Sequence, residues 1–551
     1  MSYINECVIY NIYPLGFCGA PKRNDHKTDY RLDKIYEWTE HLKSLNVNAV
    51  VFNPVFESTS HGYDTIDYKK IDCRLGDNNS FKKICEHLHK NGIKVLLDAV
   101  FNHVGREFFA FKDVQQNGQA SPYCSWFQNL NFGGSSPMGD PFWYEGWAGH
   151  YELVKLNLQN PQVADYLLDC VKFWIDEFCI DGLRLDAANV MDEGFLHKLR
   201  SFADEQSDDF WMYGEIVGGD YNRLVRNNGL NSVTNYECYK GLYSSHNDHN
   251  YFEIAHSLQR QFGQGGIYKD IYTYNFAENH DVNRVASEVR DKRHLNNIYT
   301  LMYCMPGVPS IYYGGEWGVE GRRTNHSDHD LRPCLDLNKI KNPNEDLCKF
   351  IGRLGKIRLS LEALKYGDFE NTVIKNEQYV FRRRTPGQTV YIALNLSDGE
   401  NTVGFNTEGK LVLTDVLNNN QRFDCDGYIN LPIPAHSARI LVANDGSFTL
   451  DTDENKVESH AATAIKSPGK SAAAVKKAEP SPINPKPGER YRHFKGGEYT
   501  IESVARHSET LEKLVIYKSD KSGDVWARPY DMFTAVIEYE GERINRFSKI
   551  E

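Results

Sequence analysis

Residues 182–189 read Gly-Leu-Arg-Leu-Asp-Ala-Ala-Asn, and residues 161–178 before them form one long amphipathic stretch opening on a proline. Arg184 and Asp186 stand two residues apart, the repeat of a β-strand, so both side chains fall on one face. A buried strand that follows a helix and ends in charged residues is what a parallel α/β fold presents at its functional edge.

The same alternation runs outward in both directions. Val8–Tyr13, Ala49–Asn53, Val95–Val100, Gly182–Asp186, Trp211–Glu215, Tyr272–Ala277 and Val308–Tyr313 read as buried strands, and a weaker one around Ser232–Tyr236 completes eight. Helix-like segments lie between them: Asp33–Leu45, Ser80–Asn91, Pro161–Phe178 and Phe195–Glu205, with Asp33 and Ser80 as N-caps and Gly92 as a helix stop. This pattern predicts an α/β protein built on a (β/α)₈ TIM barrel over residues 1–104 and 157–365; a doubly wound sheet is the topology that periodicity leaves open. Residues 105–156, rich in Gly, Asn, Pro and aromatics, interrupt the alternation as an inserted loop domain after strand three. Short β runs over 366–443 predict a β-sandwich. The Ala/Pro/Lys-rich stretch 444–488 reads as a flexible-to-extended linker, and 489–551 as a small extra β-rich module.

A chain of 551 residues is too long for one core, and 40% hydrophobic with 25% charged residues is ordinary for a globular protein. The net charge of −12 argues against nucleic acid and anionic membrane as partners. The 33 Tyr and 28 Phe mostly serve packing, but sugar-binding clefts also use aromatic faces. The N-terminal Met-Ser-Tyr-Ile-Asn-Glu-Cys-Val-Ile-Tyr has no basic n-region and no small-residue cleavage site, so no signal peptide is expected. No apolar run reaches the ~18 residues of a transmembrane helix. The 12 cysteines are scattered without a Cys-x-x-Cys pair or a metal-like Cys/His grouping, so no metal or cofactor is expected and a cytoplasmic location follows.

Four strand ends carry polar clusters: Asp98, Asn102 and His103 after strand three, Arg184 and Asp186 on strand four, Glu215 after strand five, and His280 and Asp281 after strand seven. Taken singly, a strand-end Asp caps a helix, His103 is a satisfied structural histidine and Asn102 a turn residue. In this order on successive strands they converge on one barrel mouth. Two carboxyl groups in one cleft are the minimum for glycosidic cleavage. Arg184 can hold Asp186 ionised as a nucleophile, and Glu215, without a basic neighbour in sequence, suits proton donation.

The segments Asp98–His103, Gly182–Asn189, Gly214–Glu215 and Asn279–Asp281 resemble the four signature regions of the α-amylase superfamily, retaining α-glucan-acting enzymes of barrel fold, and the resemblance covers about residues 5–445. It implies that Asp186 is the nucleophile, Glu215 the acid/base and Asp281 the carboxylate that stabilises the transition state. By the same resemblance Arg184, His103 and His280 touch the sugar at the cleavage point, and His61-Gly-Tyr63 matches a loop whose tyrosine stacks beneath it. Asp330 and Arg332 match a sugar-binding segment after strand eight, an exposed ion pair being the alternative. Lys155-Leu-Asn157 and Asn189 resemble motifs of cyclomaltodextrinases, neopullulanases and maltogenic amylases. Asn189 stands where secreted α-amylases place a Lys-His pair tied to calcium, so that calcium site is not expected. The C-terminal module resembles a small uncharacterised bacterial domain.

The resulting expectation is hydrolysis of α-1,4-linked maltodextrins or cyclodextrins by double displacement, with an α-glucan oligosaccharide as partner and the oligomeric state open. Two rivals stand beside it: sugar transfer through the same intermediate, and a catalytically silent carbohydrate-binding scaffold.

Overall fold

The computed structural model describes residues 3–207, 209–325, 327–340, 342–451, 484–494, 496–506, 513–521, 523–539 and 542–550. The chain forms two compact units, residues 1–457 and 458–551. Of the linker read at 444–488, residues 452–483 lie outside the described residues.

Eight parallel strands build the first unit's core: β1 (Ile9–Ile12), β2 (Ala49–Phe52), β3 (Lys94–Ala99), β4 (Gly182–Leu185), β5 (Trp211–Gly214), β6 (Ser232–Val233), β7 (Tyr274–Phe276) and β8 (Val308–Tyr312). Each pairs in parallel with its neighbours in sequence from β1 to β6, β7 pairs with β8, and β8 pairs with β1. A parallel bridge from Thr234 to Tyr274 joins the β6 side to β7 and closes the cylinder. Closure decides for the barrel against the doubly wound sheet, which would leave two open edges.

Strand parity separates two cores. Ile9, Ala49, Val51, Leu96, Trp211, Tyr213, Tyr274 and Val308 fill one cluster inside the cylinder. The residues between them, such as Tyr10, Val50, Phe52, Leu97, Leu183 and Leu185, pack outward against the helices. Both faces are buried, which is why these strands read as continuous apolar runs. The helix Pro161–Phe178 shows the outer layer's logic. It buries Val163, Ala164, Leu167, Cys170, Val171, Trp174 and Phe178 at helical spacing, with Asn160 accepting from the Gln162 amide as its cap. Trp174 stacks on Phe56 with ring centroids 4.4 Å apart, and a Trp174→Ala cavity would cost about 3–5 kcal/mol.

Two helix starts differ from the sequence reading. The helix Asn78–Lys90 is capped by Asp77, and Ser80 is its third residue. Asp77 Oδ1 accepts from the Ser80 amide at 2.8 Å while Ser80 Oγ accepts from the Asp77 amide at 2.9 Å, a reciprocal capping box that satisfies two otherwise orphaned donors. Asp33 lies inside a 3₁₀ turn, Arg31–Lys34, and the helix Ile35–Ser44 begins after it without a side-chain cap.

The segment after β3 folds its own three-stranded antiparallel sheet from His103–Gly105, Gly146–Trp147 and His150–Lys155. Past the barrel come six antiparallel strands, β9 (Asp368–Ile374), β10 (Gln378–Thr385), β11 (Gln388–Asn395), β12 (Asn401–Asp415), β13 (Gln421–Ile433) and β14 (Ser437–Asn444), in the order β9-β10-β11-β14-β12-β13. Phe381, Ile392 and Leu394 pack into the barrel's outer core, while their neighbours Val380, Tyr391 and Ala393 join Val403, Phe405, Leu431 and Ile433 in a second core. That two-sided burial makes it a sandwich, and β10 and β11 are buried on both faces over most of their length.

In the second unit, strands Arg490–His493, Glu498–Arg506, Lys513–Ser519, Val525–Pro529 and Phe547–Lys549 form an antiparallel sheet around Tyr491, Ile501, Val515, Tyr517, Phe533 and Phe547. Among the described residues no helix is long and apolar enough to cross a membrane. The 12 cysteines form no disulfide.

Candidate active site

The inward parity of the first five strands runs to and just past each strand's C-terminal end and changes chemistry there. Ile9 is followed by Asn11 and Tyr13, Val51 by Asn53, Leu96 by Asp98, Gly182 by Arg184 and Asp186, and Tyr213 by Glu215. Apolar residues thus fill the barrel floor, and a polar layer crowns it at the C-terminal mouth.

Arg184 is the hub of that layer. Its Nη1 donates to Asp98 Oδ1 and Oδ2 at 2.7 and 2.6 Å and to Asp186 Oδ1 at 3.1 Å; its Nη2 lies 3.0 Å from Glu215 Oε1. One guanidinium therefore ties three carboxylates from three adjacent strands. Only its planar fork of donors can do this. Burial works against the charge on Arg184, but Asp98 and Glu215 outweigh it and hold the guanidinium firmly protonated. Burial pushes the Asp186 carboxyl well above its ordinary range, Arg184 pulls it down, and Glu215, Asp98 and Asp281 push it up again. Carboxylates outnumber arginines in this pocket, which is why the neighbouring charges add to burial in disfavouring ionised Asp186.

Glu215 Oε2 also accepts from the Ala187 amide at 3.1 Å. That amide is aimed by a left-handed backbone at Ala187, φ +48°, a conformation costing an L-residue about 1 kcal/mol and concentrated at functional sites. Asp98 is fixed from the other side by Asn53 Nδ2 at 3.0 Å and the Tyr63 hydroxyl at 3.1 Å, and Asn53 Oδ1 in turn accepts from Asn11 Nδ2 at 3.1 Å.

Asp281 comes from a turn, not a strand. Asn279 Oδ1 accepts from the Asp281 and Val282 amides at 2.8 and 3.1 Å and bends the chain back after β7. Arg332 Nη2 donates to Asp281 Oδ1 at 3.0 Å, its Nε donates to the His280 carbonyl at 3.1 Å, and His280 Nε2 lies 3.0 Å from Asp281 Oδ2. Burial disfavours ionised Asp281, but His280, then Arg332 and Arg184, outweigh it and hold the carboxyl below its ordinary range. The His280 ring is stacked between Tyr13 and Tyr63, at 6.0 and 5.5 Å with both planes within 9°. Its Nε2 also lies 2.5 Å from the Tyr63 hydroxyl.

The structure brings together Tyr63, Arg184, Asp186, Glu215, His280, Asp281 and Arg332. His61 stands at the rim, its carbonyl accepting from the Tyr13 hydroxyl at 2.7 Å. Between His61 and Tyr63, Gly62 has φ +89° and would place a Cβ 3.0 Å from Pro54 Cβ, so only glycine makes this bend. His103 is buried beneath Trp147, the rings stacked at 5.9 Å, and burial pushes its imidazole down to about 3. Two buried imidazole nitrogens, His103 Nε2 and His280 Nδ1, have no partner within the protein.

Asp330 does not join the group. Its side chain is 69% exposed and, among the described residues, pairs with His329 at 3.8 Å; beside Asp281, the carboxylate that pairs with Arg332 is Asp328, at 2.7 Å. Residues His329–Leu331 form a 3₁₀ turn, which carries Asp330 to the outside and leaves Asp328 on the arginine's side. Sequence reading also passed over Tyr13, Asn53, Asp328 and Trp147. For Tyr13 and Asn53 a signal exists: both continue the inward parity of an apolar strand. For Asp328 and Trp147, on irregular backbone, none does.

A cavity of about 360 Å³ lined by Tyr13, His61, Asp328 and Arg332, among others, opens on one side of this cluster. Another, of about 560 Å³, is lined by Tyr239, Asp281, Asn283 and Arg323, among others. The bonded pair Asp281 and Arg332 thus has one member in each cavity.

Comparison with known proteins finds relatives along most of the chain. The family described as "Alpha amylase, catalytic domain" matches residues 11–349, and a "Protein of unknown function (DUF1653)" family matches 489–549. A cyclomaltodextrinase of Thermoanaerobacter pseudethanolicus is 32% identical over 74% of this chain and 73% of its own. An "Intracellular maltogenic amylase" of Bacillus subtilis is 29% identical over 82% of this chain and 76% of its own. Among solved structures, a Nostoc punctiforme debranching enzyme soaked with acarbose superposes with TM-score 0.66 at 27% identity, over 80% of this chain and 98% of that one. A cyclomaltodextrinase gives 0.69 at 25%, over 80% and 78%.

Proposed function

Because the chain belongs to the α-amylase family of glycoside hydrolases, we propose that it hydrolyses the α-1,4-glucosidic bonds of maltodextrins or cyclodextrins with net retention. Glu215 protonates the glycosidic oxygen while Asp186 attacks the anomeric carbon and displaces the leaving sugar. Glu215, now a carboxylate, takes a proton from water as that water opens the glycosyl-enzyme and frees Asp186. Asp281, kept ionised by His280 and Arg332, stabilises the positive charge that develops on the ring. His103 Nε2 and His280 Nδ1, buried and unpartnered, receive sugar hydroxyls, and the stacked Tyr63 forms the floor beneath the sugar.

The observation that carries this reading is the shared guanidinium of Arg184, which draws Asp186 and Glu215 into one pocket. The presence of all three carboxylates disfavours a silent scaffold. Relatives named cyclomaltodextrinase and intracellular maltogenic amylase support the substrate class and an intracellular setting. We read residues 105–156 as a wall of the cleft through Trp147, and 489–551 as a module outside the chemistry. Proton NMR of the first product from maltoheptaose should show the α-anomer; a β-configured first product would refute the double displacement. A parallel time course on β-cyclodextrin and pullulan ranks the substrates.

A further inference from the structure

Four histidines gather where the helix before β8 meets the C-terminal sandwich, far from any motif in the sequence. His246, His249 and His436 all have ring centroids within 5.7 Å of His294. Two of them are internally satisfied. His246 bonds the Leu242 carbonyl through Nδ1 and the Tyr251 hydroxyl through Nε2, while His249 Nδ1 pairs with Glu377 at 2.7 Å.

The other two are not. His294 is 1% exposed, and its Nε2 lies 3.2 Å from the Leu396 carbonyl, which can only accept. His436 Nε2 lies 3.0 Å from Asp398 Oδ1, again an acceptor. In the neutral rings the proton therefore sits on Nε2, which leaves Nδ1 as a lone pair. Both Nδ1 atoms are buried without a hydrogen-bond partner. The two rings lie with centroids 5.2 Å apart, and His294, His436 and Asp291 each offer a ligand atom within 4.8 Å of the others. Two buried, unpartnered imidazole nitrogens beside a partly exposed carboxylate leave a place for a cation or a water between them.

We propose that Asp291 with His294 Nδ1 and His436 Nδ1 forms a site for a divalent transition-metal ion, zinc by ligand preference. Two neutral imidazoles and one carboxylate suit a borderline ion, whereas calcium and magnesium take oxygen donors. The outer bonds are those of a metal site as well. Asp398 orients His436 and the Leu396 carbonyl orients His294, each through the nitrogen opposite the ligating one. Around a tetrahedral ion the three donors would draw in to about 3.3 Å from one another. Arg293, 59% exposed, donates its backbone N–H and Nε to Asp291 Oδ1 and its Nε and Nη2 to Oδ2, so ligation would displace the shared Nε contact from one oxygen. His436 sits at φ +48° in the turn before β14, a strained conformation that directs its ring inward. The ion would staple the barrel, through residues 291 and 294, to the sandwich, through residue 436. It lies outside the sugar cleft, so its role is structural.

Elemental analysis of the full-length protein after zinc loading and exhaustive dialysis tests the site. About one equivalent of zinc should remain bound, and His436→Gln and Asp291→Asn should each lose it while keeping maltodextrin turnover. Cobalt in place of zinc should give visible d–d bands without the near-ultraviolet charge-transfer band of cysteine ligation. Chelation should lower the Tm of the wild type and leave both variants unmoved. Asp291→Asn, at the partly exposed end of the group, keeps the test decisive should His436→Gln fold poorly. No zinc in the loaded wild type, equal zinc in wild type and variants, or thiolate bands in the cobalt spectrum would overturn the proposal.

Discussion

Arg184 donates to both carboxylate oxygens of Asp98, at 2.7 and 2.6 Å, with both side chains closed off from solvent. Asp98 is thereby a positioning residue: it holds the guanidinium in the plane from which Asp186 and Glu215 are both reached. Asp98→Asn removes the charge while keeping the shape. It should lower kcat about 10- to 100-fold, the loss of one charged hydrogen bond, with a smaller effect on KM. Arg184→Lys should do at least as badly, since a point charge cannot bridge three carboxylates. Steady-state kinetics with a circular dichroism check of folding measures this, and activity within twofold of wild type for both variants would remove Arg184 from its central role.

Roles within the carboxylate pair can be separated chemically. Glu215→Ala should still be glycosylated by an α-glucosyl fluoride, whose leaving group needs no proton, and should then stall because water lacks its base. Azide should restore turnover. Mass spectrometry of the stalled enzyme should find the sugar on the peptide containing Asp186, and an adduct elsewhere would reverse the assignment.

The exchange of Asp330 for Asp328 gives a clean contrast. Asp328 pairs with Arg332 at 2.7 Å, whereas Asp330 is turned outward. Asp328→Asn should raise KM for maltoheptaose about tenfold, and Asp330→Asn should leave it within about twofold, in line with an exposed surface pair. Equal effects would mean that the loop closes differently around substrate.

His103 links stability to pH. Burial pushes its folded-state imidazole from 6.5 down to about 3. Below about pH 6.5 the unfolded chain takes up a proton that the folded chain refuses, so stability is full above that pH and falls as the medium is acidified toward 3. By pH 5 the loss should be about 2 kcal/mol. Denaturant unfolding of wild type and His103→Gln at pH 7 and 5 checks the sign: the difference between them should shrink on acidification, and a constant difference would contradict it.

What the sequence determined by itself is what depends on local period. Alternation by two places Asp98, Arg184, Asp186 and Glu215 on the inward side of successive strands, because a strand's pleat sets each side chain's direction regardless of what surrounds it. The same parity would have given Tyr13 and Asn53. Tertiary structure alone decided the rest. Barrel closure rests on the pairing of Ile9 with Ser310 and the bridge from Thr234 to Tyr274, contacts that no local pattern states. Asp328 replaced Asp330 because a 3₁₀ turn, with no periodic signature, sets which carboxylate looks inward. Likewise Asp291 and His294 meet His436 only because the sandwich folds back onto the barrel's helices. Residues so far apart in the chain share no spacing that a reader could recognise, and their meeting is fixed by the burial of the apolar faces around them.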